Sequence, residues 1–178
     1  MKVSIKKLTL LAILAALALI IFIIEAQFPL PVPIPGVKLG LANIVTLFVL
    51  FYGTNKDLTK NHDITFSGVD ALMLILCRAI LGAFFTGRIV AFIYSITGGL
   101  LGFAAMLFIK RFITKKQIWV CGVFGGIFHN IGQIIAAVII TGTPAIAAYL
   151  PVLIITGMIT GVLTGLVAQF AVERIKKP

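Results

Sequence analysis

The sequence predicts an all-α, polytopic membrane protein, folded as one domain over residues 1–178 into a bundle of six transmembrane helices. Hydrophobic residues make up 61% of the chain, charged residues only 11%, and the mean hydropathy is +1.19. Soluble domains contain about 25% charged residues. The basic residues cluster between long apolar runs, which is the positive-inside pattern of a multi-pass membrane protein. The net charge of +10 therefore indicates a lipid bilayer as partner, and we expect no nucleic acid.

Six helices are predicted, at about 8–26, 38–52, 68–87, 89–109, 118–140 and 148–172. At about 1.5 Å per residue, runs of 20 residues cross the ~30 Å hydrocarbon layer, whereas helix 2 is short for a full crossing. Helix 1 resembles a signal peptide, but it is too long for one and lacks a cleavage site, so we expect it to be retained. After it, a proline at every second position from Pro29 to Pro35 predicts an extended strap.

The distribution of basic residues predicts the orientation. Six crossings place both termini on one side of the membrane, and twelve of the fifteen basic residues then lie on that side. Arg78 falls inside the membrane, and only Lys38 and Arg88 remain on the far side. The asymmetry predicts that both termini are cytoplasmic.

Helix 5 carries three polar side chains, His129, Asn130 and Gln133, in the middle of an apolar run. Polar groups at this depth are costly without partners or water, so they usually mark an interior or a pathway. At about 100° per residue, small and polar residues share one stripe: Gly122, Gly126, His129, Gln133 and Ala136. Asn130 is rotated away from the stripe and could reach a neighbouring helix. The stripe predicts a ligand site, and hydrogen bonding to adjacent helices is the open alternative.

Arg78 lies near the midpoint of helix 3, where an arginine costs at least ~2.5 kcal/mol and must face protein or a wet cavity. It could pair with Glu25 at the end of helix 1, bind an anionic or carbonyl-bearing ligand, or do both. Lys38 and Asn43 of helix 2 share the outer half of the bundle with Glu25, and Tyr94 near one end of helix 4 completes the candidate set. The sequence therefore predicts a pocket that opens outward.

Small residues four positions apart allow helices to approach closely. Ala12 and Ala16 form such a pair in helix 1, on the side opposite Glu25, so helix 1 could dock a partner with one face. That alanines are simply common in membrane helices is the alternative. Glycines with the same spacing occur in helices 4 and 6: Gly98 and Gly102, and Gly157, Gly161 and Gly165.

The chain resembles the S-components of energy-coupling-factor (ECF) transporters, and more narrowly the Gx transporter family, often labelled heptaprenyl diphosphate synthase component I. The resemblance covers nearly the whole chain. It rests on the Lys-Lys-Leu-Thr lead into helix 1, on Gly-Val-Lys-Leu-Gly-Leu-Ala-Asn at 36–43, on Arg78 with Gly82, and on His-Asn-Ile-Gly-Gln at 129–133.

This resemblance implies a six-helix substrate-binding subunit in the bacterial cytoplasmic membrane, which takes up a vitamin or cofactor from outside. It implies that Ala12 and Ala16 dock on a transmembrane coupling subunit and that a cytoplasmic ATPase pair supplies energy. ATP would then act only through partner subunits. The positive charge of the outer layer favours an anionic or electron-rich heterocyclic ligand, such as a flavin or a polar isoprenoid or quinone precursor.

Prenyl diphosphate synthesis needs acidic clusters that hold Mg²⁺ on the diphosphate. The five acids have no Asp-Asp-x-x-Asp spacing: Glu25, Asp57, Asp63, Asp70 and Glu173. A P-loop and a nucleophile–base pair are also missing, and Cys77 and Cys121 lack metal-ligand spacing. We therefore expect no catalytic site, no metal site and no covalently bound cofactor. Two alternatives stay open: an accessory subunit of an isoprenoid, quinone or electron-transfer system, and a membrane enzyme with His129 as general base.

Overall fold

The computed structural model describes residues 5–27, 37–52 and 66–175, and within these ranges the fold is all-helical. The described residues form six α-helices: α1 (Ile5–Glu25), α2 (Asn43–Tyr52), α3 (Gly68–Thr86), α4 (Ile89–Ile109), α5 (Ile118–Thr141) and α6 (Leu150–Ile175). Short 3₁₀ helices, Lys115–Gln117 and Pro144–Tyr149, precede α5 and α6. The strap predicted from Pro29 to Pro35 lies outside the described residues.

Five of these helices are long and apolar enough to cross a membrane, whereas α2 has only ten residues. The six helices of the prediction are present, but six full crossings are not confirmed. The outward faces of α1, α3 and α6 carry large exposed apolar side chains, which suit lipid and would be unusual in water. They include Ile13, Leu17, Met73, Ile80, Ile155 and Leu163. The chain is thus a multi-pass membrane protein, as its composition predicts.

The prediction that helix 2 begins at residue 38 is wrong, because α2 begins at Asn43. Gly40 has φ of 81°, in the left-handed region that interrupts a right-handed helix. Residues 37–42 therefore form a non-helical segment before α2, which we call the 37–42 segment, and Lys38 lies in it rather than in a helical turn. The other helix boundaries agree with the prediction to within about three residues.

Contacts between helix ends fix the direction of each helix. Lys7 near the start of α1 forms a salt bridge of 2.7 Å with Asp70 at the start of α3. Lys110, directly after α4, donates a hydrogen bond of 2.6 Å to the carbonyl oxygen of Leu50 near the end of α2. We call this end of the bundle the terminal end. The opposite end, where α1 stops and α2 begins, is the distal end.

α5 lies at the centre of the bundle and packs along its length against α4 and α6. Glycines allow both contacts. A Cβ atom at Gly126 would collide with the carbonyl oxygen of Gly157 in α6, and one at Gly132 would lie 2.7 Å from that of Thr97 in α4. The spaced glycines of α4 and α6 all face α5: Gly98, Gly102, Gly157, Gly161 and Gly165. We call these two interfaces the glycine seams.

Candidate functional site

Six of the eight residues predicted to bind a ligand come together in the distal half of the bundle. They are Glu25, Lys38, Asn43, Arg78, His129 and Gln133, and all of them are buried. Five different parts of the chain supply them, from α1 to α5. We call this group the polar layer. Because it is enclosed by apolar helices, each polar atom in it needs a partner from within the protein or from a ligand.

Gln133 of α5 holds the 37–42 segment by a pair of hydrogen bonds. Its Oε1 accepts from the backbone N–H of Lys38 at 2.7 Å, and its Nε2 donates to the carbonyl oxygen of Lys38 at 2.9 Å. The side chain is 1% exposed. Both polar atoms of the amide are therefore engaged with backbone, so the residue fixes where Lys38 stands.

Two further hydrogen bonds hold the same segment. Oε1 of Glu25 accepts from the backbone N–H of Gly40 at 2.5 Å. Oγ1 of Thr160, on α6, shares its one proton between the carbonyl oxygen of Leu39 at 3.2 Å and that of Thr156 in its own helix at 2.9 Å. Gly40 also packs on His129, since a Cβ atom at Gly40 would lie 3.0 Å from Cδ2 of the imidazole ring. The segment is thus pinned between α1, α5 and α6, directly against His129.

Arg78 of α3 bonds to α2 rather than to α1. Its Nη2 donates to Oδ1 of Asn43 at 3.3 Å. No salt bridge joins Arg78 to Glu25 within the described ranges, so the direct ion pair considered from the sequence is not formed there. The guanidinium group lies beside α4 at Gly99, where a Cβ atom would be 3.6 Å from Nη2. Glu25 and Arg78 therefore enter the polar layer with different partners.

The ammonium group of Lys38 lies over the ring of Phe22, 2.8 Å from its centroid. Cation–π contacts of this kind contribute about 0.5–2 kcal/mol. The ring of Phe22 in turn occupies the space beside Gly82 of α3, where a Cβ atom would collide with it. Sequence reasoning missed Phe22 because it is one apolar residue in an apolar helix. The sequence does contain one indication of this contact: Gly82, one turn after Arg78, leaves space on α3 for a large side chain from another helix.

The polar layer does not satisfy all of its own hydrogen-bonding atoms. Within the described structure, Nζ of Lys38, Nε of Arg78 and Nδ1 of His129 are buried without a hydrogen-bond partner. Such atoms are rare, because about 90% or more of buried polar groups in proteins are bonded. Two basic side chains also face one carboxylate. The layer can therefore receive a group that carries negative charge or several hydrogen-bond acceptors.

The other two predicted residues lie outside the polar layer. Nδ2 of Asn130 donates to the carbonyl oxygen of Leu153 in α6 at 2.6 Å. This residue points away from the stripe of α5 and contacts a neighbouring helix, as its position in the sequence allowed. Tyr94 is buried in an apolar cluster with Val37 and Ile134, beside the 37–42 segment. Asn130 thus contributes through Nδ2 to packing of α5 on α6, while its Oδ1 is buried without a hydrogen-bond partner in the described structure.

α1 has two faces of different character. Ala18 and Glu25 are buried against the bundle, whereas Ala12 and Ala16 are exposed. This arrangement agrees with the helical periodicity of the sequence, which places the alanine pair opposite Glu25. Large apolar side chains flank the pair, including Ile13. The face is open to lipid or to another helix.

A family model described as heptaprenyl diphosphate synthase component I matches residues 14–171 of the chain. The match includes every residue of the polar layer and both glycine seams. Neither the curated proteins nor the solved structures contain a significant match.

Proposed function

The chain belongs to the heptaprenyl diphosphate synthase component I family, and from this premise we propose that it is the substrate-binding S-component of an ECF-type transporter. The proposed ligand is a small vitamin-like or cofactor-like molecule held in the polar layer. A separate coupling subunit and a pair of ATPases would move it across the membrane. The cytoplasmic membrane of a bacterium, with both termini inside, is the location that fits this role.

The observation that carries the proposal is the set of buried, unpartnered atoms on Lys38, Arg78 and His129. Burying a polar atom without a partner costs about 1–3 kcal/mol. In a layer that served only to hold helices together, three such unpartnered atoms would lower stability without serving any other purpose. Their presence is explained if a ligand supplies the missing partners during part of the working cycle.

The same observation favours a binding subunit over a purely structural accessory subunit. A scaffold needs a polar layer whose atoms satisfy one another, and three atoms of this layer do not. A synthase that acts alone needs carboxylates for Mg²⁺ on a diphosphate, and of the three acids that the structure describes, Glu25, Asp70 and Glu173, only Glu25 belongs to the polar layer. Its Oε1 is bonded to the backbone of Gly40. We therefore infer a non-catalytic role.

Charge and hydrogen-bonding capacity narrow the ligand class. Lys38 and Arg78 supply donors and positive charge, and an imidazole supplies a donor or an acceptor at His129. These groups suit a planar heterocycle with carbonyl oxygens, such as a flavin, or the anionic head of an isoprenoid or quinone precursor. The single carboxylate, Glu25, leaves the layer with an excess of positive charge.

Identifying what co-purifies with the protein tests the proposal. We would purify the full chain in detergent, denature it, and analyse the released small molecules by mass spectrometry. The wild-type protein should release one compound in near-stoichiometric amount. Arg78→Ala should lower that amount at least tenfold, because a charged hydrogen bond contributes about 1.5–3 kcal/mol.

Arg88→Ala is the matched control, because Arg88 is exposed at the start of α4 and lies outside the polar layer. It should retain the compound at the wild-type level. Absence of any bound compound from the wild-type protein would contradict the proposal. Equal retention by both variants would remove Arg78 from the binding site.

A further inference from the structure

The terminal half of the bundle contains a second candidate site, an apolar groove of about 320 Å³ between α4 and α5. α4 contributes Leu101, Ala104, Ala105, Phe108 and Ile109 to it, and α5 contributes Phe124 and Phe128. The five α4 residues follow the spacing i, i+3, i+4, i+7, i+8, so they form one stripe about 12 Å long. Two alanines form its floor between larger side chains. The groove is open to the outside of the bundle, where lipid chains lie.

The chain just beyond the end of this groove carries the basic and aromatic residues that are typical of a membrane–water interface. Phe108 is followed within three residues by Arg111, and α5 is preceded by Lys116; both basic side chains are exposed. Trp119, at the start of α5, is 41% exposed, and tryptophan concentrates at the membrane–water interface. Unlike the exposed Arg111, Lys110 has its ammonium group hydrogen-bonded to the carbonyl oxygen of Leu50.

We propose that the groove binds one acyl chain of an anionic phospholipid, whose phosphate is held by Arg111 and Lys116. The lining offers no polar partner to a polar ligand, so the bound part of the occupant is a hydrocarbon chain. The two cations at the groove's end select a negative headgroup, as basic clusters at membrane surfaces do. A zwitterionic lipid fits the groove equally well but gains less from the cations. This inference is independent of the transport function proposed above.

Lipid retention measured by native mass spectrometry tests the headgroup part. The full chain would be equilibrated with mixed micelles that contain phosphatidylglycerol or phosphatidylcholine of identical acyl chains. The wild-type protein should retain phosphatidylglycerol at least fivefold better. The double variant Arg111→Gln, Lys116→Gln should lose this preference. Arg174→Gln is the control, because it removes a charge at the same end of the bundle from a side chain that stacks on Phe170.

Filling the groove tests the acyl-chain part. Ala104→Phe should lower retention of both lipids at least fivefold, whereas Ala171→Phe, at a half-buried position of α6 outside the groove, should not. Circular dichroism and gel filtration establish that the variants fold, and Ala104→Leu replaces Ala104→Phe if the larger side chain prevents folding. Equal retention of the two lipids by the wild-type protein, or full retention by the groove variant, would overturn the proposal. So would a protein that forms dimers through this face and retains no lipid.

Discussion

α5 meets its neighbours in two different ways along its length. In the glycine seams, its backbone touches the backbones of α4 and α6, and carbonyl oxygens occupy the space where side chains would begin. In the polar layer, the same helix reaches the 37–42 segment through the long side chains of His129 and Gln133. The seams are joined mainly by backbone contacts, although the side chain of Met106 fills the space beside Gly125, whereas the polar layer is joined by side chains.

This difference indicates how stability and binding are divided. A seam of backbone contacts has one arrangement, because any added atom collides with main chain, so it gives α4, α5 and α6 a fixed geometry. Hydrogen bonds made by side chains can be exchanged for bonds to a ligand without loss of the fold. We therefore expect substitutions in the seams to affect folding most and substitutions in the polar layer to affect binding most.

Gly126→Ala should have the largest effect on stability. Its Cβ atom would collide with the carbonyl oxygen of Gly157, so α5 and α6 must separate, at the upper end of the roughly 1–3 kcal/mol typical of overpacking. Gly68→Ala is the matched control, because a Cβ atom there meets its nearest side-chain atom at 3.8 Å. Thermal unfolding in detergent measures both variants. A Gly126→Ala protein as stable as Gly68→Ala would show that the seam is looser than described.

The glycines of the seams could be identified from the sequence, whereas the helices that they contact could not. Spacings of four identified Gly98, Gly102 and the three glycines of α6 as close-packing positions. Periodicity also identified the buried stripe of α5, because a 3.6-residue repeat depends only on local geometry. It could not reveal that α5 lies between α4 and α6. That choice depends on contacts between distant parts of the chain.

Gln133→Ala should have the next largest effect. It leaves the N–H and C=O groups of Lys38 without the 2.7 and 2.9 Å bonds, at a cost of about 1–3 kcal/mol. Ligand retention should fall with it, because the 37–42 segment carries Lys38 into the layer. Gln169→Ala removes a bond of 3.1 Å to Glu173 in the same helix, together with a carbonyl oxygen that has no hydrogen-bond partner in the described structure, and it should change stability little. If Gln133→Ala and Gln169→Ala unfold at the same temperature, the two hydrogen bonds from Gln133 to Lys38 do not hold the 37–42 segment in place.

The polar layer shows where sequence reasoning stops. His129, Arg78 and Asn43 were candidates because polar residues in apolar runs stand out, but the bonding of Gln133 to a backbone in another part of the chain has no local signal. The predicted helix 2 begins too early because the sequence around Gly40 does not show that the helix is interrupted there. The positive φ of Gly40 follows from the bonds that hold the 37–42 segment, which belong to tertiary structure.

Lys38→Met should change stability less, by about 1 kcal/mol in either direction. The variant loses a cation–π contact with Phe22 that contributes about 0.5–2 kcal/mol, but it also removes a buried amine without a hydrogen-bond partner. Ligand retention should nevertheless fall at least tenfold if the ammonium group binds the ligand. Arg88→Met, at an exposed position outside the polar layer, should affect neither property. A Lys38→Met protein that binds normally would exclude Lys38 from the site.

Replacing both Ala12 and Ala16 with leucine should have the smallest effect on the isolated protein. Both alanines are exposed on α1, and leucine is at least as apolar, so the unfolding temperature in detergent should be unchanged. If a coupling subunit docks there, however, the larger side chains prevent the close approach of helices that the small pair allows. Co-purification with a transmembrane partner should then fail for this variant, whereas a control with leucine at Ala171, on α6, should retain the partner. Complex formation by the Ala12→Leu, Ala16→Leu protein would mean that the alanine pair faces only lipid. Close helix packing through small residues would then be confined to the glycine seams inside the bundle, and α1 would have no docking role.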